Sequence, residues 1–299
     1  MAAVVVVSAF LAAALGAAEP CVPRDADCRD FGQWLREIVD SERGEFRANV
    51  TVVEVGGRAR RASVGGGEAV YPASVVKLVY LVAIARRLDA GAVRATADLA
   101  WHIEEMVRHS HNPAAGRVMD VATGTSQGPA LAGGEFERFR GRRLALGDEM
   151  NRLGAAGIRA HDRIWSRMSA RDKQLRRIEG TNAMSTDATA ALLAGIATCA
   201  FFSRARCQEL LTLLNRHVSD ETDPRFLPIG RGLPAGARFW SKPGLTAGTH
   251  HDAAIVELAG GARFVVVVFL RGKGSDGRVI TRIASRIANG FGERRDGAN

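Results

Sequence analysis

The residues best suited to chemistry in this chain are a serine and a lysine. They lie three positions apart in Tyr71-Pro72-Ala73-Ser74-Val75-Val76-Lys77-Leu78-Val79-Tyr80, where an apolar, helix-patterned segment begins. On a helix that spacing places both side chains on one face, within reach of each other. A serine hydroxyl is a weak nucleophile until a neighbouring base takes its proton, and a lysine amine in a partly desolvated pocket can be that base. Of 41 basic residues only four are lysine, namely Lys77, Lys173, Lys242 and Lys273. Arginine cannot release its proton, so a lysine at this spacing suggests chemistry rather than surface charge. Two more clusters follow, Ser110-His111-Asn112 and Lys242-Pro243-Gly244. Each has an ordinary reading by itself: Ser74 as a helix cap, Ser110 to Asn112 as an interhelical turn, Lys242 to Gly244 as a strand end. Their order, with two of the four lysines at the lysine positions, favours a shared site.

The elements that must position these clusters are legible from periodicity. Asp30 to Arg43 reads as an amphipathic helix carrying Phe31, Trp34, Leu35 and Ile38. Ala48 to Val55 and Arg60 to Val64 read as a hairpin joined through Gly56-Gly57. The segment after Ser74 is a nearly buried helix ending at Asp89-Ala90-Gly91. Leu99 to Arg108 and Pro113 to Ala122 are predicted helices, Gly124 to Gly134 a loop, and Leu146 to Leu153 a helix. Ala155 to Gly180 is arginine-rich and poorly periodic. Thr186-Asp187-Ala188 is predicted to cap a helix through Ile196, and Gln208 to Arg216 to form the next. Strands return at Ala237 to Lys242, Ala253 to Leu258 and Ala262 to Leu270, the last two joined at Gly260-Gly261. Arg278 to Phe291 closes the chain as a helix. The predicted fold is α/β (α+β): an antiparallel sheet assembled from both ends with flanking helices, and an all-α lobe inserted between.

Composition narrows the function classes. The 299 residues are 46% apolar, enough for a packed core. The net charge of +9 comes from scattered arginines; no recognition motif accompanies it, so no nucleic-acid partner is expected. Attraction to anionic cell-surface polymers or solubility accounts for it equally well. Met1 to Ala18 is uncharged, apolar and followed by small residues, the layout of a secretory signal cleaved near Ala18, although it lacks a basic start. The run is too short for a confident span, so no stable membrane anchor is expected. Cysteines pair locally as Cys21 with Cys28 and Cys199 with Cys207, favouring two disulfides in an oxidising compartment over four buried thiols. His109, His111, His250 and His251 lack the carboxylate or cysteine spacing of a metal site and read as polar residues near the cleft or surface. Neither metal nor cofactor is expected.

In order, Ser-x-x-Lys, Ser-x-Asn and Lys-x-Gly resemble the motifs of the serine β-lactamase and penicillin-binding superfamily. The resemblance spans roughly Asp30 to Phe291. It is closest to the class A β-lactamases and class A-like serine hydrolases, through the aromatic-Pro-Ala-Ser helix start, Met150-Asn151-Arg152-Leu153-Gly154 and Ser185-Thr186-Asp187. After a signal peptide at 1–18, read from the residues themselves, it implies a catalytic domain at 19–299, with an α/β lobe at 29–68 and 237–299 and an all-α lobe at 69–236. It further implies Ser74 as the acylated nucleophile, Lys77 as proton acceptor or relay, and Ser110 as proton donor to the leaving amine. Asn112 would bind the substrate amide, Lys242 attract an anionic substrate, and the N–H groups of Ser74 and Leu245 hold the oxyanion. Gly244 would line the substrate strand, and Thr246 restore part of a carboxylate contact.

The chain departs from the family at Pro243, where a hydroxyl residue is expected, and at His111, where an acid is expected. A proline there requires an unpaired strand edge. The family's deacylating glutamate sits in a Glu-x-x-x-Asn pattern; the nearest candidate is Glu179, with Asn182 one residue too close. The expectation is therefore an exported, monomeric serine hydrolase, periplasmic or secreted, acting on a small-molecule β-lactam or related amide or on a cell-wall peptide. The alternatives are a D,D-peptidase-like enzyme and a non-hydrolytic binding protein of the same fold.

Overall fold

The computed structural model describes residues 26–42, 44–56, 60–164, 168–223, 225–273 and 276–296. The signal-like segment and the pairing of Cys21 lie outside them. In chain order the elements are α1 (Ala26–Asp40), β1 (Arg47–Glu54), β2 (Arg61–Val64), a 3-10 turn (Ala73–Val76) running into α2 (Lys77–Asp89), α3 (Ala97–Arg108), α4 (Asn112–Thr123) and α5 (Gly133–Arg152). There follow α6 (Ala170–Glu179), α7 (Thr186–Ala197), α8 (Arg204–Leu214), β3 (Asn215–Arg216), the short α9 (Pro228–Arg231), β4 (Arg238–Thr246), β5 (Thr249–Glu257), β6 (Arg263–Arg271) and α10 (Gly277–Asp296).

The strands form one antiparallel sheet in the order β2-β1-β6-β5-β4-β3, so the N-terminal hairpin pairs with the last strand of the chain. Its centre is Phe264 to Leu270, an unbroken apolar run, and such runs are stable as strands only when both faces are covered. Both faces are. Phe264, Val266, Val268 and Leu270 pack against α1 and α10 through Phe31, Leu35, Ile283 and Ile287. Val265, Val267 and Phe269 face the helical layer with Val79, Met106, Leu192 and Ile196. Helix α2 is buried on nearly its whole circumference, from Lys77 to Ala85. Helices α3, α4, α5 and α8 pack around it, which holds its first turn against the sheet. Among the described residues no helix is long and apolar enough to cross a membrane.

Several local expectations need correction. The loop expected from Gly124 ends at Ala132, and the helix expected from Leu146 begins already at Gly133, making α5 one 20-residue helix. The polar residues interleaved between Glu135 and Arg142 hide the period, while Phe136, Phe139, Arg143, Leu146 and Met150 form the buried stripe. The arginine-rich segment before Gly180 contains α6, started by a capping box between Ser169 and Asp172. Ser185, not Thr186, caps α7, accepting from Ala188 N at 3.1 Å. Helix α8 stops at Leu214, because Asn215 and Arg216 pair with Trp240 and Phe239 as an edge strand. Strand β4 continues past Lys242 and turns into β5 at Ala247-Gly248. The disulfide Cys199–Cys207 is present and ties the turn after α7 to α8.

Candidate active site

Ser74 lies inside the 3-10 turn, and Lys77 is the first residue of α2. Side chains three apart eclipse each other in a 3-10 turn, which brings Lys77 Nζ to 3.0 Å from Ser74 Oγ. The residue before the serine, Ala73, has φ 47, a left-handed conformation costly for an alanine. Ser110 adopts another, at φ 54. Among the described residues, two of the four non-glycine positions of this kind thus border the same cleft.

Lys77 is 1% exposed. Besides Ser74 it meets Ser110 O at 2.5 Å, Ser110 Oγ at 3.0 Å and Asn112 Oδ1 at 2.7 Å. Burial lowers its pKa to about 7, so at neutral pH the amine is near half-deprotonated. A neutral amine has two N–H bonds and one lone pair. Ser110 O and Asn112 Oδ1 can only accept, so they take the two N–H bonds and leave the lone pair facing the hydroxyls. The pattern is that of a base aimed at Ser74.

Lys242 reaches the same place from β4. Its Nζ donates to Ser110 Oγ at 2.9 Å and to Pro243 O at 3.0 Å. Burial drives its pKa well below the ordinary value, helped by the charges of Lys77 and Arg216 and opposed by Asp252. Ser110 Oγ is therefore bracketed by two amines, an arrangement that can relay a proton. Beyond β3, which covers only Phe239 and Trp240, no strand among the described residues pairs the outer edge of β4. Pro243 is accommodated there without losing a ladder bond. Gly244 is required by packing: a Cβ would stand 2.9 Å from Pro72 O and from Ser74 N. Leu245 follows on β4 opposite His250. Thr246 is at the hairpin tip, 2.7 Å from Thr249 Oγ1 through its hydroxyl.

The structure brings Ser74, Lys77, Ser110, Asn112 and Lys242 into one hydrogen-bonded set. Glu179 is not part of it. As the last residue of α6, it accepts from Arg140 Nε at 2.5 Å. Asn182 is buried nearby, donating to Asp162 O at 2.7 Å and accepting from Asp162 N at 2.9 Å. His111 occupies the N-cap position of α4, exposed and with no side-chain cap bond.

His250 and His251 are not surface groups. His250 Nε2 is 2.8 Å from Arg225 O, and His251 Nε2 is 3.0 Å from Tyr71 O, its ring stacked on Phe269. His251 thereby ties β5 to the segment that presents Ser74, and burial lowers its pKa to about 4. Sequence reasoning passed over Asp252. Its carboxylate is fully buried, accepts from Ile229 N and Ala253 N at 3.1 and 2.9 Å, and has a pKa raised by burial to about 6. A lone acid ahead of the apolar run Ala253-Ala254-Ile255-Val256 was the available signal. The buried cluster of Arg143 and Arg163 with Asp120 and Asp172 had none, because its members are scattered along the chain.

The arrangement has counterparts among solved structures. PBP-A superposes with a TM-score of 0.65 at 20% identity over 87% of this chain and 96% of its own. The β-lactamase from Sphaerobacter thermophilus gives 0.64 at 19% over 87% and 98%. The class A β-lactamase of the last common ancestor of Gram-negative bacteria gives 0.65 at 21% over 88% and 99%. At these identities the likeness is one of fold. No curated protein sequence shows a significant match. The profile of the β-lactamase enzyme family matches residues 102–291, well over half of the chain, including Ser110, Asn112 and Lys242. The chain belongs to the β-lactamase enzyme family.

Proposed function

We propose that this protein is an exported serine hydrolase that opens an amide, a β-lactam or a related cell-wall peptide, through an acyl-enzyme on Ser74. The observation that carries this reading is the buried Lys77 amine, 3.0 Å from Ser74 Oγ, with its N–H bonds directed to Ser110 O and Asn112 Oδ1. Lys77 takes the Ser74 proton as Oγ bonds to the substrate carbonyl carbon. The resulting oxyanion rests on the Ser74 and Leu245 N–H groups. When the carbon–nitrogen bond breaks, Ser110 gives its proton to the leaving nitrogen and is resupplied through the amines of Lys77 or Lys242. Lys242 also attracts the anionic end of the substrate, with Asn112, Gly244 and Thr246 lining its binding strand. The Cys199–Cys207 disulfide supports export to an oxidising compartment.

A second reading, of a penicillin-binding, D,D-peptidase-like protein whose acyl-enzyme persists, is favoured by the Glu179–Arg140 pairing. That pairing leaves the expected hydrolytic base occupied. A fluorescent penicillin and a chromogenic cephalosporin separate the two readings. Rapid colour change supports turnover, and stable label on Ser74 supports the persistent acyl-enzyme. Ser74→Ala is expected to abolish both signals; activity unchanged in that variant would remove Ser74 as the nucleophile.

A further inference from the structure

A large groove outside the catalytic set lies between α8 and the outer end of the sheet, with a volume of about 970 Å³. That is the upper end of the range for small-molecule sites. We propose that it binds a small organic anion, a carboxylate or sulfonate on an aromatic body. The inference is independent of the catalytic reading.

The lining unites two chemistries. Phe202, Leu211 and Trp240 supply an apolar wall. Arg204, Arg216, Arg238 and Arg263 supply positive charge, against Glu257 as the single acid among the described residues of the lining. Glu257 is ion-paired with Arg238 and lies 4.0 Å from Arg263. The guanidinium groups of Arg238 and Arg263 sit 5.7 and 5.9 Å from the Trp240 ring centre, so a ligand meets cation and aromatic surface side by side. Arg216 spends its Nη donors on neutral groups, Arg108 O at 3.0 Å and Val107 O at 2.5 Å, so Asp252 and Glu221 favour its charge only from a distance. The Nε groups of Arg216 and Arg263 are buried without an acceptor. Unmet buried donors and surplus positive charge are what an oxyanion relieves. Arg204 stands exposed at the rim, where charge steers an anion inward.

This groove is distinct from the catalytic set. A neighbouring cavity of about 160 Å³ is lined by Ser110 and Lys242 of the catalytic set and by Pro243, and Arg216 is the residue common to its lining and that of the groove.

The probe is anilinonaphthalene sulfonate, compared with its uncharged analogue N-phenylnaphthylamine, titrated into the full chain and followed by probe emission and tryptophan quenching. The expected result is one saturable site preferring the sulfonate by about 10-fold or more. Arg204→Glu should weaken sulfonate binding by at least about 10-fold, Leu211→Trp should abolish it by filling the groove, and Lys242→Met should leave it unchanged. Circular dichroism and melting curves check that each variant folds; should Leu211→Trp not fold, the exposed Arg204→Glu still decides the matter. Equal affinity for the two probes, no sulfonate binding, indifference to Arg204→Glu, or loss of binding in Lys242→Met would each overturn the proposal.

Discussion

Lys77 is where burial and chemistry meet. Its pKa of about 7 is set by desolvation, so the amine is an ammonium, with no lone pair to offer, at lower pH. The sign follows directly: acylation is expected to rise roughly tenfold per pH unit below about 7 and to level off above it. Stopped-flow labelling with a fluorescent penicillin across pH 5 to 9 measures this, and a flat profile would count against Lys77 as the base. Lys77→Arg keeps a cation but cannot release a proton. It should slow acylation by roughly 100- to 10,000-fold, whereas a structural charge would tolerate the change. At Glu179 the residue-scale expectation runs the other way. Its carboxylate is held by Arg140, so Glu179→Gln should leave the rate of label release from Ser74 within about twofold of the parent.

At the scale of elements, the site depends on β4 lying directly against the 3-10 turn. Gly244 permits that approach, since a methyl group would press on backbone atoms of Pro72 and Ser74, which cannot rotate away. Gly244→Ala is expected to destabilise the fold by about 1–3 kcal/mol and, by displacing Ser74 from Lys242, to slow acylation by about 100-fold. Denaturant titration and labelling kinetics read the two effects separately. Under α5, the fully buried Arg143 bonds Asp120 at 2.7 Å and Asp172 at 3.2 Å, while Arg163 bonds Asp120 at 2.5 Å. Removing one partner leaves a carboxylate buried with too little positive charge. Arg143→Met should therefore cost about 3–5 kcal/mol, and adding Asp172→Asn should recover part of that loss in the same unfolding measurement.

For the whole molecule, the disulfide acts on the unfolded chain. Closing the short loop from Cys199 to Cys207 removes conformational freedom worth about 2–3 kcal/mol. Reduction, or Cys199→Ala with Cys207→Ala, should lower the unfolding free energy by about that amount while leaving Ser74 labelling intact.

Local chemistry determined much of this protein before any contact was known. The seven apolar residues Phe264 to Leu270 demanded a strand covered on both faces, the lysine-poor composition singled out Lys77 and Lys242, and Cys199 and Cys207 were close enough in sequence to pair. What the sequence left undecided depends on groups far apart along it. Arg143 among exposed arginines looks like surface charge until α4 and α6 surround it. Asp252 and His251 look polar and accessible until α9, β6 and the Tyr71 segment close over them. The pKa of Lys77 is a property of a dry pocket built from three separate segments. Periodicity and residue type report on neighbours within a turn or a strand. Desolvation and ion pairing across the core arise only when the chain has folded and water has been excluded, so the tertiary structure alone decided them.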